Sequence, residues 1–257
     1  MLCEDTGVIG APFLVTEWVE GEAAASVDAK WRAYGHDDRR RLANEMVGAL
    51  AQVSLVDWSG IGLDGFGRPE GFLGRQVDRW LGQLSRYQSR TIPHLDSVAG
   101  WLRSHTPPDI AAGLLHGDYS GANVMFDHRN GGAIAAIIDW ELATVGDPML
   151  DLGWFLSTWE QAGDDTSGRV PGVRISELDG MPTRRQLADL YADETRRSLE
   201  HLRFYVALAL FKYACILEGS YYRSINGQSD DPAHANWGQR VVVFISRAAS
   251  VIEGEWL

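Results

Sequence analysis

The chain has 257 residues, of which 45% are hydrophobic and 23% charged, so its composition is globular and excludes disordered or fibrous architectures. Its formal net charge of −12 would repel phosphate backbones, which argues against nucleic-acid binding. The two cysteines, Cys3 and Cys215, form neither a disulfide framework nor a zinc cluster. The chain starts without a signal segment, and its longest apolar stretch, residues 204–217, is shorter than the roughly 20 residues of a membrane span. We therefore expect a soluble, cytoplasmic protein without membrane contact.

The first hundred residues read as a short extended segment followed by helices. Residues 7–19 are typical of a Gly/Pro turn followed by a strand. Apolar residues at three- and four-residue spacing predict helices over 37–56, 72–89 and 95–104. The glycines of 57–71 mark a loop between the first two helices.

The second part of the chain contains the β structure. Short extended runs with acidic residues between them occupy 114–160, where the last of these residues turn helical, and a glycine-rich loop follows over 163–180. Further helices are predicted over 183–198, 201–223 and 236–252. The fold class is therefore predicted to be α+β and mainly helical, with one small β element in its middle.

Two extended runs in that middle section are predicted to form a β hairpin around a turn signal at 130–132. Because the turn is centred on residue 131, a symmetric hairpin places Asn123 opposite Asp139. Asp118 lies five residues before the first strand, in a loop that can curl back over the same end. Two carboxylates and an amide oxygen at one end of a hairpin form a hard-oxygen site that suits Mg²⁺.

These residues lie in motifs that resemble a known family. HGDYSGAN at 116–123, IIDWE at 137–141 and GDPMLDLGW at 146–154 are similar to motifs of the aminoglycoside phosphotransferase family, whose fold is similar to that of the protein kinases. The resemblance implies a kinase-like large (C-terminal) lobe with the metal site on a small β hairpin, and ATP and Mg²⁺ as cofactors. It implies transfer of the ATP γ-phosphate to a hydroxyl of a small-molecule substrate.

The resemblance also implies a role for each residue of the motif. Asp118 is expected to be the catalytic base or the carboxylate that orients the hydroxyl, and Asn123 and Asp139 are expected to hold Mg²⁺. His116 is expected to brace the catalytic loop by hydrogen bonding rather than to transfer protons. Glu141 follows the metal-binding aspartate by two positions and is expected to be a weak or indirect metal contact.

Two more aspartates belong to the third motif. Asp147 precedes a proline at a predicted helix start, which makes it first of all a cap. Asp151, one turn further on, either faces solvent or, as the resemblance implies, fastens the catalytic loop.

The N-terminal segment APFLVTEWVEG resembles the last strand of a small lobe and the hinge after it. Backbone groups of Glu17, Trp18 and Val19 are expected there to bind the adenine of the cofactor, with an ordinary edge strand as the alternative. The resemblance thus divides the chain into a remnant of the small-lobe sheet and hinge at 1–22 and a kinase-like lobe at 23–257.

The glycine-rich phosphate loop and the phosphate-binding lysine of the family have no counterpart in this sequence, because both lysines, Lys30 and Lys212, follow the hinge. Activity of the chain as written is therefore expected to be impaired, since several charge contacts to phosphate are missing together. A late start codon, a gene fragment and a degenerate kinase kept as a binding module remain open explanations. Apolar surface that a small lobe would cover is expected to favour self-association.

The nature of the acceptor also remains open. VDWSGIGLDGFGRPEGFLGRQVDRW and LALFKYACILEG resemble kinase-like domains linked to acyl-CoA dehydrogenases, which implies a hydroxy acid or hydroxyacyl acceptor. The acidic balance instead suits the ammonium groups of an aminoglycoside. Arg75 and Arg79, one turn apart on a predicted helix, either grip an anionic substrate or form ion pairs. The acidic loop residues that could border an acceptor site are Glu160, Asp164, Asp165, Asp230 and Asp231.

Two alternatives to the kinase hypothesis remain. One is a non-catalytic nucleotide- or ligand-binding remnant of such a kinase, which the missing small lobe favours. The other is a metal-dependent hydrolase that uses His116, Asp118 and Asp139, although no second histidine or cysteine ligand lies nearby.

Overall fold

Helices dominate the part of the chain that the computed structural model describes, which comprises residues 1–24, 28–167 and 175–254. In chain order they are α1 (Asp28–Ala33), α2 (His36–Ser54), α3 (Gln76–Leu84), α4 (Leu95–Ser104), α5 (Met149–Thr158), α6 (Arg184–Thr195), α7 (Leu202–Ile225) and α8 (Trp237–Glu253). The predicted fold class, α+β and mainly helical, is confirmed.

The strands are short and are β1 (Leu2–Cys3), β2 (Phe13–Leu14), β3 (Glu22–Ala23), β4 (Gly113–Leu115), β5 (Val124–Asp127), β6 (Ala133–Ile137) and β7 (Thr144–Gly146). They form three small antiparallel sheets with the orders β1-β2, β3-β5-β6 and β4-β7. The β4-β7 pair brings the start of the HGDYSGAN loop close to the start of α5.

Helix α7 forms the centre of the helical core. It packs against α5, α8, α3 and α4, and residues 204–212 along it are all buried. A helix that is apolar on all faces is stable only when other elements surround it. The core formed in this way supports the β sheets and the loop that carries the candidate site.

The helices predicted from apolar periodicity are present in α2, α4, α6, α7 and α8, with ends shifted by no more than three residues. The helix expected over 72–89 is shorter, because a 3₁₀ turn precedes α3 and the chain turns after Leu84. That turn places Tyr87 against α7, where its hydroxyl donates to the carbonyl of Cys215 at 2.7 Å.

The predicted N-terminal strand within 7–19 is limited to Phe13–Leu14, because only two residues, Leu2–Cys3, lie beside it as a partner. Several large apolar side chains of this segment are exposed, with Trp18 at 84% and Leu2 at 63%. The division at residue 22 and the expected self-association stay predictions. Part of the glycine-rich loop predicted over 163–180 lies outside the described residues.

The predicted hairpin forms between β5 and β6, but its predicted register is wrong by one residue. Val124 lies opposite Ile137, and the N–H of Ile138 donates to the carbonyl of Asn123 at 2.9 Å. A β-bulge at Ala135 of β6, opposite Met125 and Phe126, and a short 3₁₀ turn before β6 make the hairpin asymmetric. Asp139 therefore lies just beyond the last strand pair instead of opposite Asn123.

No helix among the described residues is both long enough and apolar enough to span a lipid bilayer.

Candidate active site

A buried carboxylate fixes the backbone of the loop between β4 and β5. Asp151, in the first turn of α5, accepts hydrogen bonds from the N–H of His116 at 2.6 Å and from the N–H of Gly117 at 2.9 Å. Burial raises the pKa of Asp151, while these two hydrogen bonds and the charge of Lys212 act in the opposite direction. Asp151 is only 2% exposed, so it faces the loop and not solvent.

Gly117 has a backbone conformation and a contact that no other residue fits. Its φ of +85° lies in the left-handed region. A Cβ atom at this position would overlap the carbonyl oxygen of Leu142 and lie 2.9 Å from its carbonyl carbon. The loop can therefore approach the segment after β6 closely only with glycine here.

His116 links the loop to the end of β6. Its Nδ1 accepts a hydrogen bond from the N–H of Asp118 at 3.2 Å, and its Nε2 lies 2.8 Å from the carbonyl oxygen of Ile138. An acceptor at Nδ1 and a donor at Nε2 correspond to the neutral tautomer protonated on Nε2. The ring is fully buried and both of its nitrogens are occupied by backbone groups, which is the arrangement of a brace.

Asp118 and Asn123 contact each other at the start of the hairpin. The Nδ2 of Asn123 donates to the carbonyl oxygen of Asp118 at 2.8 Å and to its Oδ2 at 3.2 Å. Burial raises the pKa of Asp118, and Lys212, Asn123, Trp154 and His116 counteract this in that order. The indole of Trp154 lies close enough to act on the carboxyl but does not complete a hydrogen bond. This pairing leaves the amide oxygen of Asn123 as the group that can bind a cation.

Asp139 lies two residues after the end of β6 and has a φ of +65°. A left-handed backbone is uncommon for a residue with a side chain, and such conformations concentrate at functional sites. Asp139 and Glu141 are both exposed, Glu141 within the 3₁₀ turn Trp140–Leu142.

No group of three or more His, Cys, Asp or Glu side chains is arranged to hold a metal ion in the described ranges. A carboxylate from Asp139 and an amide oxygen from Asn123 are nevertheless the hard donors that Mg²⁺ uses together with water and phosphate oxygens. The donor set therefore fits a magnesium ion that is completed by a nucleotide rather than by protein alone.

Glu17, Trp18 and Val19 are not part of a strand, and their backbone groups form no hydrogen bond with another described residue. The indole N–H of Trp18 donates to Glu20 at 3.3 Å. The backbone of this segment is thus available to a ligand, and its expected contact with adenine stays a prediction.

A cavity of about 510 Å³ lies beside the loop, between residues 120–122 and the helices α5, α7 and α8. Most of its wall is apolar or aromatic. The aromatic residues that line it are Phe155, Trp159, Tyr213, Trp237 and Phe244. Arg223 and His234 add basic or polar groups, and the guanidinium of Arg223 donates to the hydroxyl of Ser220 at 2.8 Å.

The acidic residues expected to border an acceptor site do not form an anionic wall. Glu160 is buried in an ion pair with Arg240, and Asp164 is in an ion pair with Arg184. Burial alone would raise the pKa of Asp164, but the hydrogen bond from Arg184 and other contacts hold it below its ordinary value. Glu160 does line the cavity, but Arg240 neutralises it, and Asp164 is not among the lining residues. Buried carboxylates are retained next to internal cations in this way, and the expectation that these two acids border an acceptor site stays a prediction.

The other three acids are held locally or exposed. Asp231 accepts the N–H of Ala233 at 2.8 Å and lies 3.5 Å from His234. The side chain of Ser167 and then its N–H, which Asp165 accepts at 2.8 Å, lower the pKa of Asp165. Asp230 is exposed and is not part of the cavity wall.

Arg75 and Arg79 do not line the cavity either. Arg75 donates to the carbonyl oxygens of Arg68 and Glu70, so it stabilises the loop before α3 instead of an ion pair. Arg79 is exposed, with its guanidinium 5.5 Å from the ring centre of Trp80.

Asp147 contributes to the start of α5 as expected, although the helix begins two residues later. Its Oδ1 accepts the N–H of Met149 at 3.0 Å, and its Oδ2 accepts the hydroxyl of Tyr205 at 2.8 Å. Burial raises the pKa of Asp147, opposed by both of these hydrogen bonds.

Lys212 is the site residue that sequence reasoning missed. It projects from α7, is 5% exposed, and donates a hydrogen bond to the carbonyl of Gly117. A lone lysine within the apolar run 204–217 was the available signal, because a buried cation requires a specific partner.

A mainly helical lobe, a hairpin that ends in an aspartate, and a loop held from below by a helix carboxylate together define the large lobe of a protein-kinase-like phosphotransferase. A sequence profile described as the phosphotransferase enzyme family matches residues 2–200, and the chain belongs to this family. The resemblance inferred from the motifs is confirmed.

Curated relatives include human acyl-CoA dehydrogenase family member 11, which is 30% identical over 238 residues that cover 90% of this chain. Mouse acyl-CoA dehydrogenase family member 10 is 29% identical over 231 residues, or 89% of this chain. The chain spans 30% of the length of the first and 21% of the second.

A solved structure assigned as an aminoglycoside phosphotransferase from Ralstonia eutropha JMP134 superposes with a TM-score of 0.85. It is 30% identical, and the match covers 98% of this chain and 76% of that one. A macrolide 2'-phosphotransferase type I, at 18% identity and a TM-score of 0.59, covers 89% of this chain and 67% of its own. This second likeness shows the fold alone.

Proposed function

We propose that the chain transfers the γ-phosphate of ATP to a hydroxyl group of a small molecule. The observation that carries the proposal is the fixed loop. It holds Asp118 against Asn123, close to the end of the hairpin where Asp139 lies, and its next residues line a cavity of about 510 Å³. Phosphoryl transfer needs positioning and charge neutralisation more than covalent chemistry.

Each group has a defined task in this proposal. Asp118 orients the acceptor hydroxyl and accepts its proton as the new P–O bond forms, while the bond from the γ-phosphorus to the β,γ-bridging oxygen breaks and ADP leaves. Asn123 and Asp139 would hold Mg²⁺, which neutralises charge on the nucleotide phosphates when it is bound. His116 and Asp151 keep the loop in place, so that the Asp118 carboxyl does not have to be ordered during the reaction.

The acceptor that fits the cavity best is a hydroxy acid or hydroxyacyl compound with an apolar chain. The wall is largely aromatic, and the acids Glu160 and Asp164 are neutralised by arginines, so little negative charge remains to bind the ammonium groups of an aminoglycoside. Arg223 has no acidic partner among the described residues and can bind a carboxylate. The names of the acyl-CoA dehydrogenase relatives support the same class of acceptor.

One observation favours the alternative, a nucleotide-binding protein without turnover. Lys30 is paired with Glu22 at 2.6 Å, and Lys212 is buried beneath the loop, so neither lysine is free for the nucleotide phosphates. Impaired transfer is therefore part of the proposal, and binding and turnover have to be measured separately.

The test is calorimetric titration of the purified chain with Mg²⁺-ATP, beside Asp139→Ala and the control Asp193→Ala, an exposed position on α6. We expect wild type and the control to bind equally and the Asp139 variant to lose at least about tenfold in affinity. Transfer of labelled phosphate to medium-chain hydroxy acids and to kanamycin then separates the two acceptor classes. A folded wild-type chain that binds no Mg²⁺-ATP would contradict both the kinase and the binding alternative.

A further inference from the structure

The ammonium group of Lys212 lies directly beneath the loop that carries Asp118. The Nζ of Lys212 donates to the carbonyl oxygen of Gly117. The same nitrogen lies 4.4 Å from the ring centre of Trp154 and 5.6 Å from that of Trp80. Burial lowers the pKa of Lys212 to about 8, while the nearby carboxylates Asp151 and Asp118 raise it. A cation this well buried is costly, and here a carbonyl, two indole faces and two carboxylates offset part of that cost.

The peptide unit between Gly117 and Asp118 is held at both of its edges. Its carbonyl oxygen accepts from Lys212, and its N–H, which belongs to Asp118, donates to Nδ1 of His116 at 3.2 Å. The preceding two N–H groups are bound by Asp151. The Gly117 carbonyl has no second hydrogen-bond partner among the described residues.

We propose that Lys212 is a positioning residue, which holds the Gly117–Asp118 peptide plane and thereby the direction in which the Asp118 side chain leaves the loop. Without the ammonium group, the Gly117 carbonyl is left buried and unpaired, and the peptide can rotate to find another partner. Glycine at 117 offers little steric resistance to such a rotation. Because the Cα of Asp118 belongs to the same peptide unit, the rotation displaces the carboxylate that faces the acceptor. The proposal rests on the proposed function for its kinetic consequence, but not for its structural one.

The test compares wild type with Lys212→Met, which preserves the apolar stem of the side chain, and with Lys212→Arg, which preserves a cationic donor. The control is Glu218→Gln, which changes another buried charged residue of α7, one that pairs with Arg90 at 2.7 Å. Steady-state kinetics and hydrogen exchange of each variant are measured on the full chain.

We expect Lys212→Met to lower kcat by about 10²-fold, as misplacement of a catalytic group by about 1 Å does, with the KM for ATP changed by less than about threefold. The backbone amides of residues 116–118 should exchange at least about tenfold faster, while those of α8 keep their protection. Lys212→Arg should recover most of the amide protection. The control should leave exchange in the loop as in wild type.

The proposal is overturned if Lys212→Met retains wild-type exchange at 116–118, or if protection is lost equally in the loop and in α8. It is also overturned if kcat stays within about twofold of a wild type that turns over. A wild-type chain that phosphorylates no acceptor removes the proposed function only, and the exchange measurement then decides the role of Lys212 by itself.

Discussion

The substitution Gly117→Ala measures how strongly the site depends on close contact between the catalytic loop and the segment after β6. Two penalties add at this position. A left-handed φ costs an alanine roughly 1–2 kcal/mol. The new Cβ would also overlap the carbonyl oxygen of Leu142, at the end of the 3₁₀ turn that follows Asp139, so one of the two backbone segments has to move. We expect a combined loss of more than about 3 kcal/mol in the free energy of unfolding.

Gly62 provides the matched control, because its φ of +82° is close to the +85° of Gly117 while its Cβ would meet nothing within 4 Å. Gly62→Ala should therefore show the φ penalty alone, about 1–2 kcal/mol. In thermal unfolding followed by far-UV circular dichroism, at about 2–4 °C per kcal/mol, the control should lose several degrees and Gly117→Ala at least about twice as much. Equal losses of Tm in the two variants would refute the close approach of Gly117 to Leu142.

Three further predictions follow from the charged residues of the site. Asp151→Asn should lower the free energy of unfolding, measured by urea titration, by about 2–3 kcal/mol, because a charged acceptor beneath the loop is lost. The control Asp189→Asn, in an exposed ion pair with Arg185, should lower it by less than about 0.5 kcal/mol. Because burial lowers the pKa of Lys212 from 10.5 to about 8, the unfolded chain binds more protons between these values. The contribution of Lys212 to the free energy of unfolding should therefore increase from pH 8 to 10.5 by on the order of 3 kcal/mol. Urea titrations across this range should show a smaller increase in Lys212→Met than in wild type. Arg223→Gln should raise the KM for a hydroxy acid about tenfold and leave the KM for ATP unchanged, which initial-rate kinetics with each substrate varied would measure.

Local patterns predicted the helices well, because their information is contained in neighbouring residues. The spacing of Leu42, Met46 and Leu50 alone defines the buried face of α2, and all three side chains are fully buried. The predicted register of the hairpin was wrong because the extra residue of a β-bulge leaves no comparable pattern in the sequence. The one-residue shift moved Asp139 out of the strand pair and into the left-handed conformation that it has after β6.

The motif contained Asp118 and Asn123, which are in contact, and Asp139, which follows the same hairpin, all within 22 positions of one another. The hydrogen bond from Lys212 to the loop could not be predicted in the same way. Lys212 lies 95 positions after Gly117, and only the packing of α7 beneath the loop brings the two together. Long-range contacts of this kind depend on the whole helical core, for which no local sequence pattern exists.

The acidic loops show why composition is a weak guide to the chemistry of a cavity. A net charge of −12 is a sum over the whole chain, whereas a ligand interacts with the charges that remain unpaired at the cavity wall. Here Glu160 forms an ion pair with an arginine of α8, and Asp164 forms one with an arginine of α6. These two acids, which were expected to attract ammonium groups, therefore contribute little negative potential to the cavity. Arg223, which lines the cavity and has no acidic partner among the described residues, leaves a positive charge at the wall, opposite in sign to the net charge of the chain.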